Sequence, residues 1–300
     1  MSNQATSALK SGAPLAHRSL SSDAWNALSR NRAAMTALVI LTGTALLVIV
    51  APMLSPYSFD FTDWDQISIP PSISTGHIFG TDALGRDLFV RTLYGGRLSL
   101  LVGVVATIVS LLIGITYGSV SGYFGGRIDQ VMMRIVDILY ALPFMFLVIL
   151  LMVFFGRNIL LIFVAIGAIN WLDMARIVRG QTLSLKSREF VDAARAGGVS
   201  TPRIIRRHIV PNLLGVVVVY VTLTIPQVIL VESFLSFLGL GVQEPMTSWG
   251  ALVNEGAQEM ENAPWMLVFP SVFLAVTLFC FNFIGDGLRD ALDPRDRSAR

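Results

Sequence analysis

Six stretches of the chain are apolar almost without interruption, and polar or charged residues are confined mainly to the segments between them. They run Ala33–Leu54, Leu98–Val120, Ile138–Phe155, Ile159–Ala175, Leu213–Val231 and Trp265–Ile284. A helix rises about 1.5 Å per residue, so crossing a hydrocarbon layer takes roughly 20 apolar residues. Each stretch is therefore predicted to be a membrane-spanning helix, the short fourth one by tilting or by gaining a turn. Pro143, Pro226 and Pro270 lie in or near these stretches and should bend or loosen them. The apolar run from Leu213 to Val242 is too long for one span, which predicts that it holds a spanning helix and then a short interfacial or re-entrant helix.

The polar segments carry their own helix signals. Ser22 and Asp23, followed by Trp25 and Leu28, predict a short interfacial helix leading to Arg30 and Arg32, after a disordered beginning. Gly80–Asp87 reads as a tight turn that shapes the outer loop, with Thr81 or Asp82 capping a short helix toward Tyr94. The segment between the fourth and fifth stretches is more specific. Phe190–Ala196 consists of good helix formers and places Phe190, Ala193 and Ala194 on one face. Gly197-Gly198 breaks that helix, Gly198 permitting a sharp turn. Ser200 or Thr201 can cap a second helix with Pro202 at its first position, and Pro211 is expected to close it. Two short helices at a sharp angle suit a groove on a partner protein. The small apolar face permits close approach, and Asp192 can accept a charge-assisted hydrogen bond from a partner cation.

Composition agrees with a membrane protein: 54% of residues are hydrophobic, 14% are charged, and the mean hydropathy is +0.67. Charge gives the orientation. With the N-terminus inside, only Arg86, Arg91, Arg97 and Arg157 fall outside, and the other 18 of the 22 lysines and arginines face the cytoplasm. The outer segments carry 10 acidic residues, which suits docking of a soluble partner. The first apolar stretch follows about thirty largely polar residues and is read as a span, not a cleaved signal.

Candidate chemistry is sparse. His17, His77 and His208 fall in the tail, outside and inside respectively, so no metal or hydrolase site is expected, and Cys280 reads as a buried small residue. There is no phosphate-binding Gly-x-x-x-x-Gly-Lys-[Ser/Thr] loop, so ATP cannot be hydrolysed by this chain. Nothing points to a bound cofactor or a nucleic-acid partner. Asp137 and Asp173 each lie three residues from an arginine, Arg134 and Arg176, which predicts local ion pairs. Arg203, Arg206 and Arg207 suit anionic lipid as well as a protein partner. Glu232, at the outer end of the fifth stretch, is either a residue of the substrate path or one half of a salt bridge. An ion-gradient transporter would favour paired intramembrane charges or internal repeats, and neither is evident.

The Asp192-Ala193-Ala194, Gly198 and His208-Ile209-Val210-Pro211 pattern resembles the signature loop of ABC importer permeases. Aspartate stands where that loop usually has glutamate, and the histidine matches a variant typical of peptide permeases. Gly80–Asp87 with Arg97-Leu98-Ser99-Leu100, Gly122–Gly126 with Asp129 and Arg134, and Asn282–Pro294 are similar to further motifs of the dipeptide/oligopeptide permease family. The resemblance runs from about Asn31 to Arg297.

It implies an all-α integral membrane protein with six transmembrane helices, the MetI-like core of type I ABC importers. The implied organisation is a cytoplasmic tail 1–32, a first transmembrane helix 33–54 and an outer loop 55–97. A permease core 98–284 then holds five spans and a cytoplasmic coupling loop 176–212, followed by a cytoplasmic tail 285–300. In such a protein Phe190, Asp192, Ala193, Ala194, Gly198, His208 and Pro211 belong to the loop that couples to an ATPase. The implied partners are a homologous second permease, two cytoplasmic ATPases carrying ATP and Mg, an extracytoplasmic peptide-binding protein and the lipid of a bacterial inner membrane. Oligopeptides are the expected cargo; dipeptides, cell-wall peptides and nickel chelates are carried by similar permeases.

Overall fold

A computed structural model describes residues 20–155 and 159–292. His17, Arg157, Asp293 and Pro294 lie outside the described residues, as do residues 1–19 and 293–300 of the expected tails. Among the described residues all regular elements are helical apart from one isolated bridge, Thr81 to Asp87.

Helix α1 (Leu20–Arg30) precedes α2 (Arg32–Leu54), and Asn31 between them caps α2 by accepting from the Ala34 N–H at 3.2 Å. Helix α3 (Leu88–Phe124) is one continuous 37-residue helix. The expected separate outer helix is thus the first three turns of the second span. Its cap is Asp87, which accepts from the Val90 N–H at 2.8 Å, whereas Thr81 and Asp82 cap nothing. Those two side chains are spent otherwise, Thr81 on the Gln66 carbonyl and Asp82 on arginines. The third stretch is divided into α4 (Gly126–Tyr140) and α5 (Phe144–Phe155), with Pro143 at the join. Helix α6 (Ile159–Leu185) runs ten residues beyond the expected end. Among the described residues, four helices are long and apolar enough to cross a membrane: Arg32–Leu54, Leu88–Phe124, Thr201–Phe237 and Trp265–Leu292.

Pro211 does not end a helix. Helix α8 (Thr201–Ile204) passes through a π-helical turn (Ile205–Ile209) into α9 (Val210–Phe237). Proline lacks the N–H that would bond four residues back. The widened turn absorbs this locally, with the Val210 N–H donating to the Ile205 carbonyl five residues back. Nor does a short helix begin after Val231. Helix α9 continues to Phe237, turns at Gly239 (φ +74°), and the extra short helix is α10 (Trp249–Gln258), ahead of α11 (Trp265–Leu292).

Helices α3 and α6 make the most extensive contact, along Gly114, Gly118 and Gly122. A Cβ on Gly118 would stand 2.5 Å from the Ala175 carbonyl oxygen, and one on Gly122 2.7 Å from that of Arg179. Small residues every four positions let the two backbones touch, which is how helices associate where lipid offers no hydrophobic driving force.

The Gly80–Asp87 segment is a buried polar hub. Asp82 pairs with Arg86 at 2.7 Å and with Arg91, while Arg91 also reaches Glu255 of α10 at 2.7 Å. Arg86 reaches Glu244 at 2.9 Å, and His77 meets Asp87 at 2.8 Å. The indole N–H of Trp265 donates to the Thr81 carbonyl at 3.1 Å, and that of Trp249 to the Thr92 carbonyl at 2.9 Å. The motif thus ties the outer loop to α3, α10 and α11, the shaping role its turn residues suggest.

Candidate functional site

Helix α7 (Glu189–Ala196) is the first arm of the polar loop. Glu189 and Asp192 in its first turn and Arg195 in its last complement the helix dipole. It ends in a Schellman motif: the Val199 N–H donates to the Ala194 carbonyl at 3.0 Å and the Gly198 N–H to that of Arg195 at 2.9 Å. Gly198 has φ +75°, and a Cβ there would meet nothing within 4 Å, so backbone conformation alone selects glycine. Ser200 occupies the cap position of α8 without a side-chain cap bond, and Thr201 and Pro202 open the helix.

Val191 is fully buried against Tyr123, Met174, Val178, Ile204, Ile209 and Leu213, and Ala194 packs on the same cluster. Phe190, at 41% exposure, and Ala193 point away from it. The three residues expected on one docking face are therefore divided. Successive helical residues turn by about 100°. Ala194 falls between Phe190 and Val191 and is drawn inward, leaving Phe190 and Ala193 outward. The Asp192 carboxylate is exposed and accepts from Arg195 Nη1 at 3.2 Å. His208 sits half-buried in the π turn, its carbonyl accepting from Asn212 Nδ2 at 2.7 Å, and Pro211 is exposed. Arg203, Arg206 and Arg207 are exposed.

The loop rests on a base that sequence reasoning missed. Arg195 Nε donates to the Tyr123 hydroxyl at 3.2 Å, and its guanidinium lies 5.2 Å from the centre of that ring. Beside it, Asp129 of α4 accepts from Arg179 Nε and Nη2 at 2.5 and 2.6 Å and from Ser121 Oγ at 2.5 Å. The Arg179 hydrogen bond, and with it that of Ser121, holds the Asp129 carboxyl below its ordinary value despite burial. The local ion pairs expected within helices do not form. Asp137 pairs instead with Arg176 across α4 and α6 at 2.9 Å, leaving Arg134 and Asp173 out of both pairs. The sequence signal for this base was the Gly122–Gly126 motif with its Tyr123 and Asp129, read there without a partner.

Glu232 is placed differently from either expectation. Its carboxyl is fully buried, accepting from Ser236 Oγ at 2.7 Å and Ser99 Oγ at 3.2 Å. Ser99 Oγ also accepts from the Trp249 N–H at 3.2 Å, at the start of α10. Helices α3, α9 and α10 close around the carboxyl, so it neither lines an opening nor meets a cation. Among the described residues no group of three or more His, Cys, Asp or Glu could hold a metal ion.

Residues 110–298 match the family described as the binding-protein-dependent transport system inner membrane component, and residues 19–71 match the N-terminal TM domain of oligopeptide transport permease C. The chain is 64% identical over 280 residues to the oligopeptide transport system permease protein OppC of Escherichia coli (strain K12), covering 93% of each. It belongs to the ABC importer permeases of the oligopeptide/dipeptide family. The corresponding OppC of Haemophilus influenzae is 59% identical, covering 93% of this chain and 90% of that one. The dipeptide permease protein DppC of Bacillus subtilis (strain 168) is 48% identical, covering 93% and 87%. An inward-facing structure of the MetNI methionine ABC transporter superposes with TM-score 0.55 at 20% identity, over 69% of this chain and 96% of the matched chain. That likeness establishes the MetI-like, all-α, multi-spanning fold. The protein is thus a multi-pass inner-membrane permease subunit and not the ATPase of its transporter.

Proposed function

We propose that this permease carries oligopeptides inward through six spans, with both termini cytoplasmic, and that α7 is its docking element for a cytoplasmic ATPase. The observation that carries the docking role is the division of α7. Val191 anchors one face, while Phe190, Asp192 and Ala193 stand exposed on the other. A short helix held along one face yet left half uncovered is suited to a groove. Gly198, His208 and Pro211 shape the turn and the descent into α9 without forming part of that face. Oligopeptides as cargo are supported by the peptide-permease relatives, with a homologous second permease, two ATPases binding ATP and Mg, and an external peptide-binding protein completing the transporter. ATP-driven motion of the ATPases would then bias the spans between two states through contact alone. The outer loop 55–97, the core 98–284 with its coupling loop 176–212 and the tails 1–32 and 285–300 keep the roles expected of them.

The test is cross-linking in the purified transporter. A cross-linker at Asp192 should capture an ATPase subunit and one at Ser74 should not. In a background lacking Cys280, cysteines at Ser74 and Ser200 should label from opposite sides of the membrane. Capture of lipid alone from Asp192 would make the loop a headgroup anchor.

A further inference from the structure

The docking helix is only 8 residues long, and Val191 is its one fully buried side chain. Val191 and Ala194 hold the short helix close along one line of its surface, which leaves it some freedom to roll about its axis. A second fixed point is needed to set the angle at which Phe190 and Ala193 face outward, and the structure supplies one. Tyr123 stands in the last turn of α3, 9% exposed, in the same apolar cluster as Val191. The α3 backbone there cannot shift easily, because Gly118 and Gly122 already lie against α6. Onto this fixed ring comes Arg195, its Nε donating to the hydroxyl at 3.2 Å and its guanidinium 5.2 Å from the ring centre. The same guanidinium donates from Nη1 to one oxygen of Asp192 at 3.2 Å.

We propose that Tyr123 and Arg195 form a strut that fixes the roll of α7 on α3 and aims the Asp192 carboxylate, making both positioning residues for coupling to the ATPase. The proposal rests on the docking role of α7 given above. Arg195 spans the two points because a planar guanidinium can cover an aromatic face and still offer separate N–H groups in its plane. A lysine would keep the charge beside Asp192 and over the ring but lose the fork. A phenylalanine at 123 would keep the ring and lose the hydroxyl acceptor. The two substitutions therefore weaken the strut by different halves.

The experiment uses the assembled transporter in proteoliposomes, reading ATP hydrolysed per peptide moved. Tyr123→Leu and Arg195→Gln should each raise that ratio several-fold at unchanged complex yield, with Tyr123→Phe and Arg195→Lys in between. The double variant Tyr123→Leu/Arg195→Gln should match either single, since breaking one strut twice adds nothing. A residue serving only the fold would lower yield and both activities together and leave the ratio alone. An unchanged ratio across the four single variants, or fully additive effects in the double, overturns the proposal. Where Tyr123→Leu fails to assemble, Tyr123→Phe and Arg195→Lys decide: a raised ratio supports the strut and an unchanged one removes it. Ala193→Trp separates the two layers. If it still binds the ATPase and hydrolyses ATP in step with peptide, the docking role itself fails. If it blocks docking while the strut variants keep a normal ratio, only the strut fails.

Discussion

Arg97 Nε donates to the Val48 carbonyl at 2.7 Å, across from one helix to another. Pro52, four residues after Val48 in α2, has no N–H with which to bond that carbonyl, and a second Arg97 nitrogen reaches the Ile49 carbonyl beside it. The arginine thus repairs the one acceptor that the proline strands, the Val48 carbonyl. Arg97→Met should leave the Val48 carbonyl unsatisfied, which costs about 1–3 kcal/mol for a buried group. Adding Pro52→Ala should recover part of the loss by restoring an N–H to Val48. Thermal unfolding of the two variants in detergent checks this, and no recovery in the double would show that Arg97 acts elsewhere.

Gly118 and Gly180 make a matched pair. A Cβ at Gly118 would sit 2.5 Å from a backbone oxygen, while one at Gly180 meets nothing within 4 Å. Gly118→Leu should force α3 and α6 apart at about 1–3 kcal/mol or more. Gly180→Ala in mid-helix should be neutral or stabilising by roughly 0.5–1 kcal/mol. Comparative melting of the purified variants should show a lower Tm for the first only.

Glu232→Gln should transport peptide with an unchanged KM, because the carboxyl has no exposed surface and its partners are hydroxyls. Glu232→Leu should instead lower stability by about 1–3 kcal/mol, leaving Ser99 and Ser236 without their acceptor. Uptake kinetics that lost affinity in the glutamine variant would return Glu232 to the substrate path.

Acid should act through Asp129. Its folded pKa is depressed by the Arg179 and Ser121 hydrogen bonds, so its contribution is fully present above the unfolded value of about 4. That contribution is lost as pH falls from there through the lower folded value. Asp129→Asn should flatten the stability profile in that window and lower stability at neutral pH. Thermal melts in a pH series below 5 give the comparison, and an unchanged acid slope would assign it to other carboxylates.

Much of the fold was legible because apolar runs act over whole segments. The turn after α7 was legible through Gly198, whose left-handed conformation glycine alone adopts easily. What escaped depended on where one side chain met another. Ile204, Ile209, Leu213 and Val217 share one buried face, yet Ile204 and Ile209 are five apart, a spacing that only the π turn at Ile205–Ile209 aligns. A period of 3.6 misses it, and Pro211 then reads as a stop. Asp137 bonds Arg176 rather than Arg134 because a tertiary neighbour displaced the local partner that spacing offers, and Glu232 adds Ser99 of α3 to the Ser236 partner four residues on in its own helix. The Gly114-x3-Gly118-x3-Gly122 stripe was visible in the sequence and went unread.

The passage of α8 through the π turn into α9 makes a lever. Thirty-seven residues from Thr201 to Phe237 amount to about 55 Å at the helical rise. Its waist is pinched where a Cβ on Gly103 would meet Ile229 and one on Gly285 would meet Leu223. Those glycines are notches into which the Ile229 and Leu223 side chains of α9 seat, so the helix bears on α3 and α11 over a short length. If the helix pivots there, a push on the Thr201 arm one way tips the Phe237 arm, whose Glu232 is bonded to Ser99 of α3, the other way.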